Sequence, residues 1–355
     1  MSNLLPRQLV VAAALLLMSF GAVAAPVTST NTTVTIPGVG SFNCRVVTVD
    51  IKHGGLAPKL IFARDGIGRT EPFSAMLQRS HAMCGINGSF FDAYNKVGDM
   101  DPGMTLITGG SVVHKGGTGT VCGFSSQGDM VMGKLDLPIK GTVTVPGKRP
   151  GHWYAYWLNR KPTSADNIAV FTPARGERAR VSDGMTVVVR RNTVVRVVEG
   201  DAAIPRDGYV INFRGDSGPQ TALFPLGAIV SFTVSRKSER NEEAWQDVQE
   251  AVGAGPRLLT DGSVTYSPED EGFISPKILS LHGLRSAIGV TRDGKVLLVT
   301  ASGPTVLQLA QVMLKLGAVH AMNLDGGASS GLFCSGSMLT MPGRELSNAL
   351  VFVKK

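Results

Sequence analysis

Short apolar runs cut off by glycine turns are the dominant pattern of this chain, and few architectures accommodate them. Val46-Val47-Thr48-Val49, Met185-Thr186-Val187-Val188-Val189 and Val210-Ile211-Asn212-Phe213 are brief and rich in β-branched side chains, as buried strands are. Asp-Gly recurs between such runs, at Asp183-Gly184, Asp207-Gly208, Asp261-Gly262 and Asp293-Gly294. Glycine there accepts the positive φ of a tight hairpin. Helical periodicity is scarce. One candidate helix spans Glu242 to Val252; the clearest runs from Thr305 to Leu316, where Val306, Leu309, Ala310, Met313 and Leu314 share one face. Pro304 suits its first turn and Gly317 its stop. Ala287–Thr300 reads as a hairpin around Asp293-Gly294, and Val319–Leu324 as a short buried strand. The expectation is an α+β protein, a strand-dominated mixed sheet core with few helices.

The first 24 residues set the compartment. Arg7 precedes an apolar run, Leu9 to Phe20, and Ala22 and Ala24 fit a small-x-small cleavage site; the run is too short for a bilayer core of about 30 Å. Residues 1–24 are therefore expected to be a signal peptide, 25–41 an extended, poorly ordered lead-in, and 42–355 a single domain. That places the protein in the periplasm or medium, with no stable membrane anchor after signal removal. Four cysteines, Cys44, Cys84, Cys122 and Cys334, suggest two structural disulfides there, with three connectivities open. The net charge of +8 favours anionic partners such as phosphorylated glycans. Nucleic acid is not indicated, because basic and aromatic residues are not interleaved. The cluster Arg175, Arg178, Arg180, Arg190 and Arg191 reads as a solvated basic surface.

Three segments carry candidate chemistry. In Asn323-Leu324-Asp325-Gly326-Gly327-Ala328-Ser329-Ser330, paired glycines let the backbone bring its N–H groups near a ligand, and the serines add donors. Asp325 beside such an anion cradle makes sense as an acid, base, nucleophile or metal ligand; an ordinary Asp-Gly hairpin is the competing reading. In Asn87-Gly88-Ser89-Phe90-Phe91-Asp92, an amide at a strand end and a nearby carboxylate suit sugar hydroxyls, although Asn87-Gly88 could be only a type I′ turn. In Gly253–Gly262, followed by Leu281–Val290, His282 lies just before Arg285, which enters an apolar strand, an expensive place for a guanidinium without an anion.

In order, these segments resemble the phosphodiester glycosidase family, whose animal member removes the N-acetylglucosamine that caps mannose 6-phosphate. The resemblance runs through Gly85–Asp92, Tyr156–Arg160, Ala169–Pro173, Ile204–Val210, Gly253–Gly262, Arg285–Gly289, the helix from Thr305, Asn323–Ser330 and Leu346–Leu350. Leu284 and Ser286 flank the arginine where the family tends to have proline and threonine. Thr300-Ala301-Ser302-Gly303 replaces Val-Asp-Gly, and Ala328 stands for a glycine. These departures bear on substrate rather than fold.

The resemblance implies hydrolysis at the anomeric carbon of a sugar, of N-acetylglucosamine-1-phosphodiester type or in a cell-surface glycan or exopolysaccharide. Asp325 and Asp92 are then the carboxyl pair of an oxocarbenium-like transition state. Arg285 and the Gly326 and Gly327 amides hold phosphate, while Asn87, His282, Asn323 and Ser329 bind substrate. No cofactor is required on this reading, though Asp325, Asp92 and Asn87 could offer oxygen to Ca²⁺ or Mg²⁺. The alternatives are a non-catalytic glycan-binding protein of the envelope leaning on Trp153–Trp157, a hydrolase of ordinary glycosidic bonds, and a serine hydrolase. The last lacks a GxSxG elbow around Ser329 or Ser330.

Overall fold

A computed structural model describes residues 25–95, 99–162, 164 and 167–355; the signal-peptide segment 1–24 lies outside the described residues. Among them, no helix is long and apolar enough to cross a membrane.

The site is organised by a seven-stranded antiparallel sheet. Its strands run in the order Val27–Ile36, Gly40–Val49, Val296–Ser302, Arg285–Thr291, Ala318–Asn323, Arg257–Thr260 and Ser263–Val264. The expected hairpin around Asp293-Gly294 and the expected buried strand are both present. The helix Val306–Lys315 connects Val296–Ser302 to Ala318–Asn323, and these two strands run the same way on either side of Arg285–Thr291. A capping box starts it: Gln308 N donates to Thr305 Oγ1 at 3.2 Å and Thr305 N to Gln308 Oε1 at 2.9 Å.

Strand alternation divides the core. Ala287, Val299, Ala301 and Ala321 pack under the helix against Val306, Leu309, Ala310 and Met313. Ile288, Leu298, Met322 and Leu324 face the other way. They meet two five-stranded sheets there, one built on Cys84–Asn87, Leu332–Cys334 and Asn348–Lys354, the other on Val121–Ser125 and Val248–Gly253. An eight-stranded sheet from residues 139–234 keeps hydrophobic clusters of its own, and contains the parallel pairing of Trp157–Leu158 with Asn167–Phe171.

Four expectations are corrected. Residues 26–40 are no loose lead-in: Val27–Ile36 pairs along its whole length with Gly40–Val49 and closes the sheet edge. The Glu242–Val252 helix stops at Gln246, because Val248–Gly253 pairs with strands on both sides; tertiary pairing outweighs local propensity. The four cysteines are free and buried. Cys44 lies under the helix, whereas Cys84, Cys122 and Cys334 lie on the far face of the sheet, so two bridges cannot form. Nor is the basic cluster simply solvated: Arg175 is fully buried and its Nη1 pairs with Asp101, while Arg180 pairs with Asp99.

Candidate active site

Asp325 follows the last rung of the sheet. Leu324 N donates to Ser286 O at 2.8 Å and Asp325 N to Gly88 O at 3.1 Å, so the carboxylate leaves the core at the junction of two sheets. The hairpin reading fails here: Gly326 is extended, and Gly327 alone takes positive φ, 62°, to open a single 3-10 turn over Gly327–Ser329.

Burial raises the Asp325 carboxyl to about 6, against partial relief from the Ser329 side chain, the Gly326 amide, Arg344 and Lys277. Part of its surface stays open to solvent, although protein atoms surround it densely. A carboxyl poised this way exchanges its proton near neutral pH.

Asn87 serves as a clamp. Its Nδ2 donates to Asp325 O at 2.6 Å and its Oδ1 accepts from Gly331 N at 3.0 Å, tying both ends of the Asp325 loop to one strand end. The neighbouring Gly88 is no turn glycine, since its N–H pairs with Asn348 O at 3.2 Å. A Cβ at Gly88 would lie 2.1 Å from Asn348 Oδ1, the oxygen that accepts from Ser89 N at 2.8 Å. Asn323 Nδ2 braces Gly255 O at 2.9 Å. Asn87, Asn323 and Asn348 therefore shape the loop, and the hydrogen bonds expected for substrate at Asn87 are used within the fold.

The expected anion cradle is also occupied. Gly326 N donates to Asp325 Oδ1 at 2.9 Å and Gly327 N to Leu284 O at 2.7 Å. Arg285, buried, donates from Nε to Pro304 O at 3.2 Å and from Nη2 to Leu281 O. It braces the strand entry. His282 is exposed, its Nδ1–H donating to Gly303 O at 2.6 Å. Asp92 is exposed on the loop after the Cys84–Asn87 strand, held through its own N–H to Asp101 O at 3.1 Å.

Two cations that favour the ionised form of Asp325 are Lys277, on the short helix Pro276–Leu279, and Arg344. Both embrace Tyr94: Lys277 Nζ lies 5.1 Å and the Arg344 guanidinium 5.0 Å from the ring centre, and Arg344 Nη2 donates to the Tyr94 hydroxyl at 3.2 Å. That hydrogen bond, with the two charges, holds the hydroxyl below its ordinary pKa. The ring is 70% exposed, so a cation–aromatic–cation rim stands open beside a half-open carboxyl. Sequence reading missed all three residues. Tyr94 lies two positions beyond Asp92 and Arg344 two before Leu346, the first residue of a flagged segment; Lys277 had no local signal.

A cleft of about 990 Å³ opens elsewhere, lined among others by Lys134, Arg240, Arg257, Asp261, Glu271 and His320. Arg257, Thr260 and Asp261 of the Gly253–Gly262 segment line it, but Asn87, Asp92, His282, Arg285 and Asp325 do not. Its ionic groups largely satisfy one another and the backbone: Glu271 accepts from Thr120 N and Arg257 N, both at 2.6 Å, and Arg257 Nη2 meets His320 Nδ1 at 3.1 Å. The Asp325 loop remains the better candidate site.

The sequence profile of the phosphodiester glycosidases matches residues 176–353, which include Asp325, Lys277 and Arg344 but not Asn87 or Tyr94. No protein of curated function matches the chain. Solved structures that share its fold include the following three. A hypothetical protein from Synechocystis is 26% identical over 93% of this chain, with a TM-score of 0.81; the chain spans 62% of that protein's length. A Burkholderia pseudomallei protein is 22% identical, covering 88% of this chain and 74% of its own, with a TM-score of 0.74. The catalytic domain of zebrafish N-acetylglucosamine-1-phosphodiester alpha-N-acetylglucosaminidase, auto-inhibited by its pro-peptide, is 12% identical, covering 94% and 86%, with a TM-score of 0.51. With the profile spanning half of the residues, the chain belongs to the phosphodiester glycosidase family.

Proposed function

We propose that the protein is an exported hydrolase that cleaves a sugar from phosphate at the anomeric carbon. The observation that carries this reading is the Asp325 carboxyl, raised by burial to about 6 and accompanied by Lys277 and Arg344. The bond from the anomeric carbon to the phosphate oxygen breaks with its electron pair on that oxygen. A phosphate monoester's second pKa is about 6, so the departing group needs little protonation. Lys277 and Arg344 offset its charge as it leaves. Water adds to the oxocarbenium-like carbon and gives its proton to ionised Asp325, which Ser329 orients. Asp92, two residues before Tyr94, is the second carboxyl of this reading and is assigned to sugar hydroxyls. His282 Nε2, left as the acceptor by the Nδ1–H bond to Gly303, offers a further polar contact.

The decisive experiment compares an N-acetylglucosamine-1-phosphodiester with an uncharged aryl N-acetylglucosaminide. Release of N-acetylglucosamine from the diester, much reduced in Asp325→Asn and by a larger factor on the diester than on the aryl substrate in Lys277→Met, is the expected result. Binding of glycan without any release would point to the envelope glycan-binding reading instead. Activity is expected to survive chelation of divalent cations. Loss on chelation, restored by Ca²⁺ or Mg²⁺, would place a cation between Asp325 and Asp92 and overturn the assignment of the charge to Lys277 and Arg344.

A further inference from the structure

Two of the buried thiols face each other beneath the candidate site. Cys84 and Cys334 are directly opposed on antiparallel strands. Their neighbours define the type of rung: Asn87 N donates to Gly331 O at 3.1 Å and Ser335 N to Met83 O at 2.7 Å, so the 87–331 and 83–335 pairs are hydrogen-bonded ones. Alternation makes the Cys84–Cys334 rung non-hydrogen-bonded, where Cα atoms approach to about 4.5 Å and side chains are closest. A disulfide accepts Cα separations of roughly 4.4–6.8 Å. Both side chains point into the same core cluster. The other cysteines have no such partner: Cys44 stands opposite Thr32 and Ala301, and Cys122 opposite Val252 and Met132.

We propose that Cys84 and Cys334 are a redox pair that closes into a single cross-strand disulfide, while Cys44 and Cys122 stay thiols. Three residues along from this rung, the Asn87 side chain clamps Gly331; the bridge would therefore staple the two strands that carry the walls around Asp325. With a small-molecule disulfide such as oxidised glutathione as oxidant, one protein thiolate attacks the glutathione disulfide and releases one glutathione thiol. The second protein thiolate then displaces the other glutathione from the mixed disulfide, so two protein thiols become one bond and two glutathione thiols form. Burial, with the neighbouring sulfur, pushes the Cys84 thiol up, and the fold geometry makes Cys334 the expected starting point of exchange. That residue adjoins the exposed Ser335-Gly336 turn of an edge hairpin, where the sheet opens most readily.

The test is thiol counting and peptide mapping of full-length protein equilibrated with oxidised glutathione in mild urea, quenched with acid and alkylated after full unfolding. The expected product has two free thiols, a Cys84–Cys334 linked peptide, and a thermal midpoint about 5 °C above that of the reduced form. Cys84→Ala and Cys334→Ala should each keep three thiols and gain nothing on oxidation. A Cys44→Ser, Cys122→Ser double variant should lose both remaining thiols, which keeps the test open if either alanine variant folds poorly. Four thiols surviving in the parent protein, or a bridge that includes Cys44 or Cys122, would overturn the proposal.

Discussion

Replacing Asp325 with asparagine tests the electrostatic argument without reference to substrate. The carboxyl titrates near 3.8 unperturbed and at about 6 in the fold, with burial the largest cause. The folded state therefore holds its proton more tightly than the unfolded state does. Stability is undiminished below pH 3.8, falls as pH rises toward 6, and is fully reduced above it. Two pKa units correspond to about 3 kcal/mol. That figure already includes the attraction of Lys277 and Arg344; an amide of nearly the same shape avoids the charge but swaps one accepting oxygen for a donor, so about 2 kcal/mol of net stabilisation is expected at pH 7.5. In a domain of this size that is about 4 °C in thermal midpoint. Urea denaturation of both proteins at pH 7.5 and pH 4 measures it. The variant should be the more stable at pH 7.5, and the gap should shrink to near zero at pH 4. A variant less stable than the parent, or a gap independent of pH, would refute the claim that Asp325 is held desolvated.

Other perturbations follow the same physics. On the proposed mechanism, kcat/KM of the parent protein on a phosphodiester should rise with pH through a midpoint near 6, where Asp325 ionises; Arg344→Met removes a charge that favours ionisation, so the midpoint should move upward. Gly88→Ala drives a methyl group to 2.1 Å from Asn348 Oδ1 and should cost about 2–4 kcal/mol, read as a lower urea midpoint. Asn87→Ala breaks the clamp bonds of 2.6 and 3.0 Å and should cost about 2–3 kcal/mol while lowering kcat more than it raises KM. Arg175→Met leaves Asp101 without its buried cation and should destabilise by about 3–5 kcal/mol, seen in thermal denaturation.

Local chemistry was legible along the chain. The Thr305 helix carries its own cap, stripe and stop, so its bounds follow from neighbours within eight residues. Asp261-Gly262 takes positive φ at both positions, as its dipeptide requires. Strand dominance and Asp325 at the end of a buried strand were equally visible, because period and turn residues are local properties. Pairing is not local. Val248–Gly253 became a central strand only because Val121–Ser125 and Leu106–Thr108 flank it, and the segment before Gly40 became an edge strand for the same reason.

The roles within the site also depended on contacts distant in sequence. Asn87 and Asp325 announced themselves as polar residues at strand ends, yet whether Asn87 meets a ligand or Gly331 is settled 244 residues away. Arg285 looked like an anion holder because a guanidinium in an apolar strand needs partners. It found carbonyls at Leu281 and Pro304 instead. Positive charge favouring ionised Asp325 comes from Lys277 and Arg344, each unremarkable in its own segment and joined through Tyr94. By itself, then, the sequence determined the elements and marked a candidate carboxylate, since spacing and residue type act over a few positions. Tertiary structure decided which donors were already satisfied and which charges faced Asp325, because hydrogen bonds and burial depend on distance in space.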